Sequence, residues 1–232
     1  MTTRRPHLDL FSGIGGFAHA ASCTGWKTIG FSEIDTYSSA VLRKHWPDVP
    51  NYGDIRNVKG IKADLVTGGF PCQPYSLAGK RRGSADDRAL WPEMLRVIQE
   101  SRPSWVLAEN VYGIINMELD CVLSDLEAIG YATGTLVVPA CAVDARHRRD
   151  RVWIVAHSKC ERGRSRDNQR EHAVHADPRS EARGPSKGCC RVATEPAVGR
   201  LVDGLPNRLD RLKCLGNAIV PQVAAQILTL MN

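Results

Sequence analysis

The stretch HLDLFSGIGGF, His7–Phe17, decides the fold. It opens with a short apolar run, His7–Phe11, turns through SGIGG, and continues from Phe17 to Cys23 as a helix of small residues. Glycines placed directly after a strand let backbone approach a ligand closely, and the N-terminus of the following helix favours negative groups. A glycine loop also serves as a plain tight turn, so the neighbouring carboxylates matter. Glu33 ends a second apolar run, Lys27–Ser32, about twenty residues further on, where an acidic side chain can accept hydrogen bonds from both hydroxyls of a ribose. Asp54, between Gly53 and Ile55, falls beside the same pocket. These positions point to an adenosine-bearing ligand.

Outward from this stretch the periodicity alternates between strand and helix. Tyr37–Trp46 reads as a helix closed by Pro47, which makes a βαβ unit with parallel strands. Asp64–Thr67 reads as a third strand and Pro92–Glu100 as a helix with Met94, Leu95 and Ile98 on its apolar side. Ser104–Ala108 forms a fourth strand ending at Glu109 and Asn110, followed by a helix over Leu119–Ile129 and strands over Tyr131–Val138 and Arg151–Ala156. Ala218–Met231 reads as a final helix with Val223, Ile227 and Leu230 on one face. This alternation predicts an α/β fold with a doubly wound, mostly parallel sheet. Three parts are expected: a catalytic and ligand-binding domain over 1–157, a loop-rich insert over 158–195 where apolar periodicity vanishes, and a C-terminal segment over 196–232 that returns to the first domain.

Composition narrows the partners. At 232 residues, with 43% hydrophobic and 24% charged residues, the chain is expected to fold around one core. No apolar run approaches the roughly 20 residues a membrane helix needs, and no apolar signal segment follows Arg4 and Arg5, so a cytoplasmic protein is expected. The net charge of +6 favours a polyanionic partner. Most of the excess lies between Ser158 and Arg200, where ten Lys/Arg face six Asp/Glu. The eight cysteines are scattered, and Cys160, Cys189 and Cys190 with His157, His172 and His175 show no metal-binding spacing, so no metal is expected.

Three further blocks carry chemistry. GGFPCQPYS follows the third strand, where open α/β sheets place their ligands, and Cys72 sits there on a stiffened, exposed loop poorly suited to packing. A thiol of ordinary pKa, about 8.5, needs a local positive field to act as a nucleophile at neutral pH. Glu109, in ENV, ends the next strand at the same sheet edge, so an acid and a nucleophile converge. In RHRRDRVWIVA, alternation lets Arg149 and Arg151 share one face, while Arg146 and Arg148 read as a phosphate-facing basic turn.

The ordered set DLFSGIGGF, EID, GDI, GGFPCQPYS, ENV, RHRRDRVWIVA and LGNAIVPQVA resembles the DNA cytosine-5 methyltransferase family across nearly the whole chain apart from the insert. The resemblance implies the fold of the S-adenosylmethionine-dependent methyltransferases, S-adenosylmethionine as methyl donor and double-stranded DNA as substrate. Phe11 would stack on the cofactor adenine, the backbone of Gly13, Ile14 and Gly15 would border its methionine part, and Glu33 would bind the ribose. Asp54 and Ile55 would hold the adenine, and Asn217 would close the pocket. Cys72 would attack C6 of a flipped cytosine, Glu109 would bond N3 and the exocyclic amine, and Asn110 would brace the Pro-Cys loop. Arg151 would reach O2, supported by Arg149, and the loop Tyr75–Leu90 would close over bound DNA. A monomer is expected, and a restriction endonuclease is a candidate companion.

Two departures stand out. His147 occupies the place where the family usually has Gln before the Arg-x-Arg pair, and target recognition is confined to the short basic insert. Competing readings are a cytosine-5 methyltransferase acting on tRNA and a catalytically silent DNA-binding or partner subunit. A nucleotide-binding dehydrogenase leaves Cys72 and Glu109 unexplained.

Overall fold

A computed structural model describes residues 4–71, 90–158 and 208–231, which all belong to one compact unit. Cys72, nearly all of the loop Tyr75–Leu90, and the insert with Cys160, His172, His175, Cys189 and Cys190 lie outside the described residues. Strands β1 (Arg5–Leu10), β2 (Trp26–Ser32), β3 (Leu65–Gly68), β4 (Trp105–Val111), β5 (Tyr131–Pro139) and β6 (Asp150–Ser158) form one sheet in the order β2-β1-β3-β4-β6-β5. The first four in that order run parallel, whereas β6 is antiparallel to both β4 and β5. The expected doubly wound α/β sheet is therefore present, with its alternation broken once: β5 and β6 are joined without an intervening α-helix.

Helices α1 (Gly16–Cys23), α2 (Thr36–His45), α3 (Trp91–Ser101), α4 (Leu119–Ala128), α5 (Arg208–Asn217) and α6 (Pro221–Thr229) accompany the strands. Period-two alternation along the strands supplies both faces. Val66, Val106, Val152 and Ile154 pack with Met94, Ile98, Val122 and Leu126 of α3 and α4. Leu65, Leu107 and Trp153 pack on the other side with Phe17, Ala21, Val223 and Ile227 of α1 and α6. Asp35 caps α2 by accepting the Ser38 N–H at 2.9 Å, and Arg43, Lys44 and His45 complement the dipole of its last turn. On α3 the buried apolar residues are Trp91, Met94, Val97 and Ile98, with Leu95 only partly covered.

The expected helix over Ala218–Met231 is shorter than its apolar pattern. Val220 adopts an extended conformation and α6 starts at Pro221, because proline restricts the residue before it and lacks the N–H that a helix interior needs. Val223 and Ile227 are buried as expected, but Leu230 is 85% exposed and Ala224 and Leu228 complete the covered face. Among the described residues no helix is long and apolar enough to cross a membrane.

One polar chain runs through the α1 side of the sheet. His7 bonds Thr28 Oγ1 at 2.9 Å and Thr67 Oγ1 at 2.8 Å, and the Thr67 hydroxyl donates to Asp9 Oδ1 at 3.2 Å. His7, Asp9 and Thr67 are fully buried. The Ala18 backbone N–H also faces the Asp9 carboxyl, yet Oδ2 has no hydrogen-bond partner among the described residues. Burial lowers the His7 pKa from 6.5 to about 3 and raises that of Asp9 well above the usual carboxylate value, so both groups favour their neutral forms.

The two groups act on stability with opposite sign. As pH falls below 6.5 the unfolded chain gains a proton that folded His7 refuses, which destabilises the fold. As pH rises above 3.8, folded Asp9 keeps a proton that the unfolded chain releases, which also destabilises it. Between about pH 4 and pH 6 the two slopes oppose each other. Asp9→Asn removes one of them, so urea unfolding of that variant should lose about 1.4 kcal/mol more per unit of acidification than wild type in this window. Parallel pH profiles for the two proteins would show that Asp9 is ionised in the fold.

Candidate active site

The strand order places a topological switch between β1 and β3, because the chain leaves β1 for β2 on one side and returns to β3 on the other. Ligands of open α/β sheets bind at the carboxyl ends of such strands. Here the end of β1 turns sharply: Phe11, Gly13 and Gly15 have φ of 52°, 52° and 86°. A Cβ on Gly15 would collide with the Trp46 ring, while one on Gly13 would meet nothing within 4 Å. The Gly13 backbone therefore borders open space. Phe11, Gly13, Ile14, Gly69, Glu109 and Asn217 are among the residues lining a small cleft at this point.

Glu33 stands at the end of β2 with its carboxylate fixed by two backbone donors, Gly13 N–H and Asp35 N–H, both at 2.7 Å. Asn51 holds the Glu33 backbone at both ends, accepting from its N–H and donating to its carbonyl at 3.0 Å. Asn51 carries no motif signal; only its place after the Pro47 to Pro50 turn could have pointed to it. Ser32 Oγ donates to Gly53 O at 2.9 Å, which brings the GDI block alongside β2. Asp54 caps the short 3-10 turn Ile55–Asn57 and pairs with Arg56, while Ile55 is buried in the core. The Ile55 side chain thus packs inward, whereas the Asp54 side chain is 39% exposed beside Arg56.

The acid of this site lies across the cleft. Glu109 is 7% exposed near the end of β4, and Arg151 Nε meets its Oε1 at 2.9 Å. Arg151 stands opposite Val111 in the antiparallel β4–β6 ladder, so Glu109 is its diagonal neighbour on the same face. A Cβ on Gly69 would come within 3.4 Å of Glu109 Oε2, so the glycine gives the carboxyl room. Asn110 Nδ2 donates to Phe70 O at 3.0 Å, tying the strand to the chain that leads into Cys72. Phe70 is anchored by the Trp91 ring, 5.1 Å between centroids.

Burial raises the Glu109 pKa, and the attraction of Arg151 and Arg149 only partly offsets it. Burial together with the nearby Arg151 charge lowers that of Arg149. Arg149 has φ of 38° and precedes β6, so it leaves the strand alternation expected for it. Its Nη2 donates instead to Gly216 O and Ala218 O. Arg146, His147 and Arg148 are exposed, with Arg148 paired to Asp150 at 2.9 Å. The arrangement offers a reluctant acid, a guanidinium beside it and bare backbone at one cleft.

Comparison with known proteins gives a consistent picture. Residues 6–187 match the profile of the C-5 cytosine-specific DNA methylases. The Type II methyltransferase M.HgiCII of Herpetosiphon aurantiacus is 36% identical over 157 residues, covering 64% of this chain and 36% of that protein. M.PspPI of Psychrobacter sp. (strain TA137) is 40% identical over 136 residues, 53% of this chain and 32% of its own length. The chain thus spans little more than a third of the length of the curated relatives it matches. Among solved structures, the S. pombe Dnmt2 methyltransferase covers 68% of this chain and 52% of its own with a TM-score of 0.59 at 21% identity. A DNA modification methyltransferase encoded within an E. coli prophage gives a TM-score of 0.58 at 24% identity, covering 67% of this chain and 47% of its own.

Arg151→Met leaves Glu109 buried without its counter-charge. The carboxyl then rises further, and because a raised carboxyl costs stability as pH climbs through its folded value, the deficit should grow with pH. We expect a loss of about 2 kcal/mol at pH 8, below the figure for a sealed pair, and less at pH 5. Urea unfolding at both pH values checks this, and equal deficits would mean that Glu109 is not the group Arg151 stabilises.

Proposed function

The chain belongs to the C-5 cytosine-specific DNA methylase family, and on that premise we propose that it transfers the methyl group of S-adenosylmethionine to C5 of a cytosine swung out of double-stranded DNA. The observation that carries this reading is buried Glu109, paired with Arg151 at 2.9 Å and lining the same cleft as Gly13 and Asn217. The residues fit an adenosine-bearing donor. Gly13 presents bare backbone to open space, and the anchored Glu33 carboxylate retains acceptor sites for ribose hydroxyls, since a carboxylate offers about four.

When bound, S-adenosylmethionine supplies a methyl carbon made electrophilic by its positive sulfur. Phe11 would pack against the adenine and Asp54 and Ile55 would hold it, the backbone of Gly13, Ile14 and Gly15 would border the methionine part, and Asn217 would close the cleft. Cytosine C5 is a poor nucleophile until the ring loses its aromaticity. Cys72 adds to C6 through its thiolate while Glu109 holds a proton at N3, and C5 becomes enamine-like. The raised Glu109 pKa supports this role, because a carboxyl that keeps its proton more readily can share it with a ring nitrogen. Arg151 contacts O2, and Asn110 steadies Phe70 and with it the chain leading to Cys72. Once C5 carries the methyl group, loss of its proton and departure of Cys72 as a thiolate restore the aromatic ring.

The target must leave the stack, at a cost of a few kcal/mol that protein contacts offset. We assign those contacts to the basic residues of 158–195, separate from the catalytic part over 1–157 and the returning segment over 196–232. The protein works as a monomer in the cytoplasm, with a restriction endonuclease as its candidate companion.

Cys72→Ser should lower methyl transfer by at least about 1,000-fold while leaving affinity for S-adenosylhomocysteine within about twofold. Radiolabelled methyl transfer, run in parallel on duplex DNA and tRNA, reads the activity; unaltered turnover would remove the nucleophile, and label entering only tRNA would change the substrate. Glu33→Ala should weaken cofactor binding by about tenfold or more, as expected for lost charge-assisted hydrogen bonds. Calorimetry measures this, and an unchanged affinity would move the ribose elsewhere.

A further inference from the structure

The segment that closes the cleft comes from the far end of the chain, and two of its contacts bear on the cleft. Asn217, Ala218 and Ile219 line the cleft opposite Gly13. Below them α6 packs on α1, and a Cβ on Gly16 would stand 2.7 Å from Ile219 Cγ1, so only glycine lets the segment approach this closely. The second contact is polar. Arg149 Nη2 donates to Gly216 O at 2.7 Å and to Ala218 O at 2.8 Å. These carbonyls lie at the C-terminal end of α5, where helix carbonyls lack intrahelical partners and the dipole favours a cation.

A guanidinium suits this task. Its planar nitrogen carries two N–H bonds in fixed directions, so one atom can serve two carbonyls at once. Two residues further on, Arg151 engages Glu109, and the positive φ of Arg149 turns its side chain toward the C-terminal segment.

We propose that Arg149 is a positioning residue that clasps Gly216–Ile219 over the glycine loop, so that donor affinity depends on an arginine just before the strand that bears Arg151. This goes beyond a supporting role for Arg151 and rests on the reading of the cleft as the donor site. Because Arg149 and Arg151 lie on one short stretch, the target-base side and the donor side share a mechanical link. Any coupling through it acts equally in both directions.

The test uses the full chain and S-adenosylhomocysteine without DNA. Arg149→Met should raise the calorimetric Kd at least about tenfold, and Arg149→Lys should recover part of that loss, since an ammonium can still serve one carbonyl. Arg148→Met, a change at an exposed neighbour, should bind as wild type. Amide hydrogen exchange without ligand gives an independent readout: the last turn of α5 through Ala218, whose N–H bonds Cys214 O, should exchange faster in Arg149→Met and not in Arg148→Met. Wild-type affinity or wild-type protection in Arg149→Met overturns the clasp. If Arg149→Met does not fold, Arg149→Gln replaces it, and equal affinity of the Gln, Lys and wild-type proteins also overturns it. Failure of the wild type to bind S-adenosylhomocysteine refutes the donor-site reading instead, and hydrogen exchange still judges the clasp.

Discussion

The contact on which the site depends is the 2.9 Å pair between Arg151 and Glu109, and it exists because one strand runs against the rest. Arg151 is the second residue of β6, and Glu109 is near the last of β4. In a purely parallel sheet the start of one strand and the end of its neighbour sit at opposite edges. Reversing β6 brings its first residues to the edge where β1, β3 and β4 all end. The same reversal carries Arg149 to the end of α5. One antiparallel strand therefore gathers the acid, its counter-charge and the closing segment at one edge.

The opposite wall is set by steric limits on the glycine turn. Gly15 and Gly16 leave no room for a Cβ, the first because of Trp46 and the second because of Ile219. Gly13 serves a different purpose, since it borders open space and its N–H is spent on the Glu33 carboxylate. The loop thus binds α2, β2 and the C-terminal segment together. Beneath it the buried chain from Thr28 through His7 and Thr67 to Asp9 links β2, β1 and β3 directly under the turn. Such a chain fixes strand positions at an energetic cost, because every unmet polar atom in it is penalised.

Much of this was legible in the sequence, for identifiable reasons. Apolar periodicity located all six strands, and the glycine turn after β1 pointed to the cleft that its residues line. Strand direction was not legible, because the pattern of β6 reads the same both ways. The helix Arg208–Asn217 was missed because its apolar residues, Leu209, Leu212 and Leu215, are exposed and only Cys214 is buried; its pattern does not report a covered face. Leu230 misled for the converse reason, lying at the margin of a covered stripe that runs through Val223, Ala224, Ile227 and Leu228 and continues past it to buried Met231. His7 drew no notice as a polar residue because its partners, Thr28 and Thr67, are separated from it by 21 and 60 residues. Cys72 remains a reading from sequence, since it lies outside the described residues.

Arg151 has two demands on it that pull in different directions. At rest it must offset a buried carboxylate, yet a full offset would hold Glu109 ionised and unable to share a proton. The balance found is partial: burial outweighs the two arginines, and the Glu109 pKa stays raised. Arg149 contributes to that balance by being turned away. Its hydrogen bonds go to Gly216 and Ala218, so its charge reaches Glu109 only through space while Arg151 makes the direct contact. Were both guanidinium groups bonded to the carboxylate, the charged form would gain another charge-assisted hydrogen bond, a stronger kind than a neutral one, and the acid would be lost. The clasp on the C-terminal segment and the proton affinity of Glu109 are therefore two consequences of one side-chain direction.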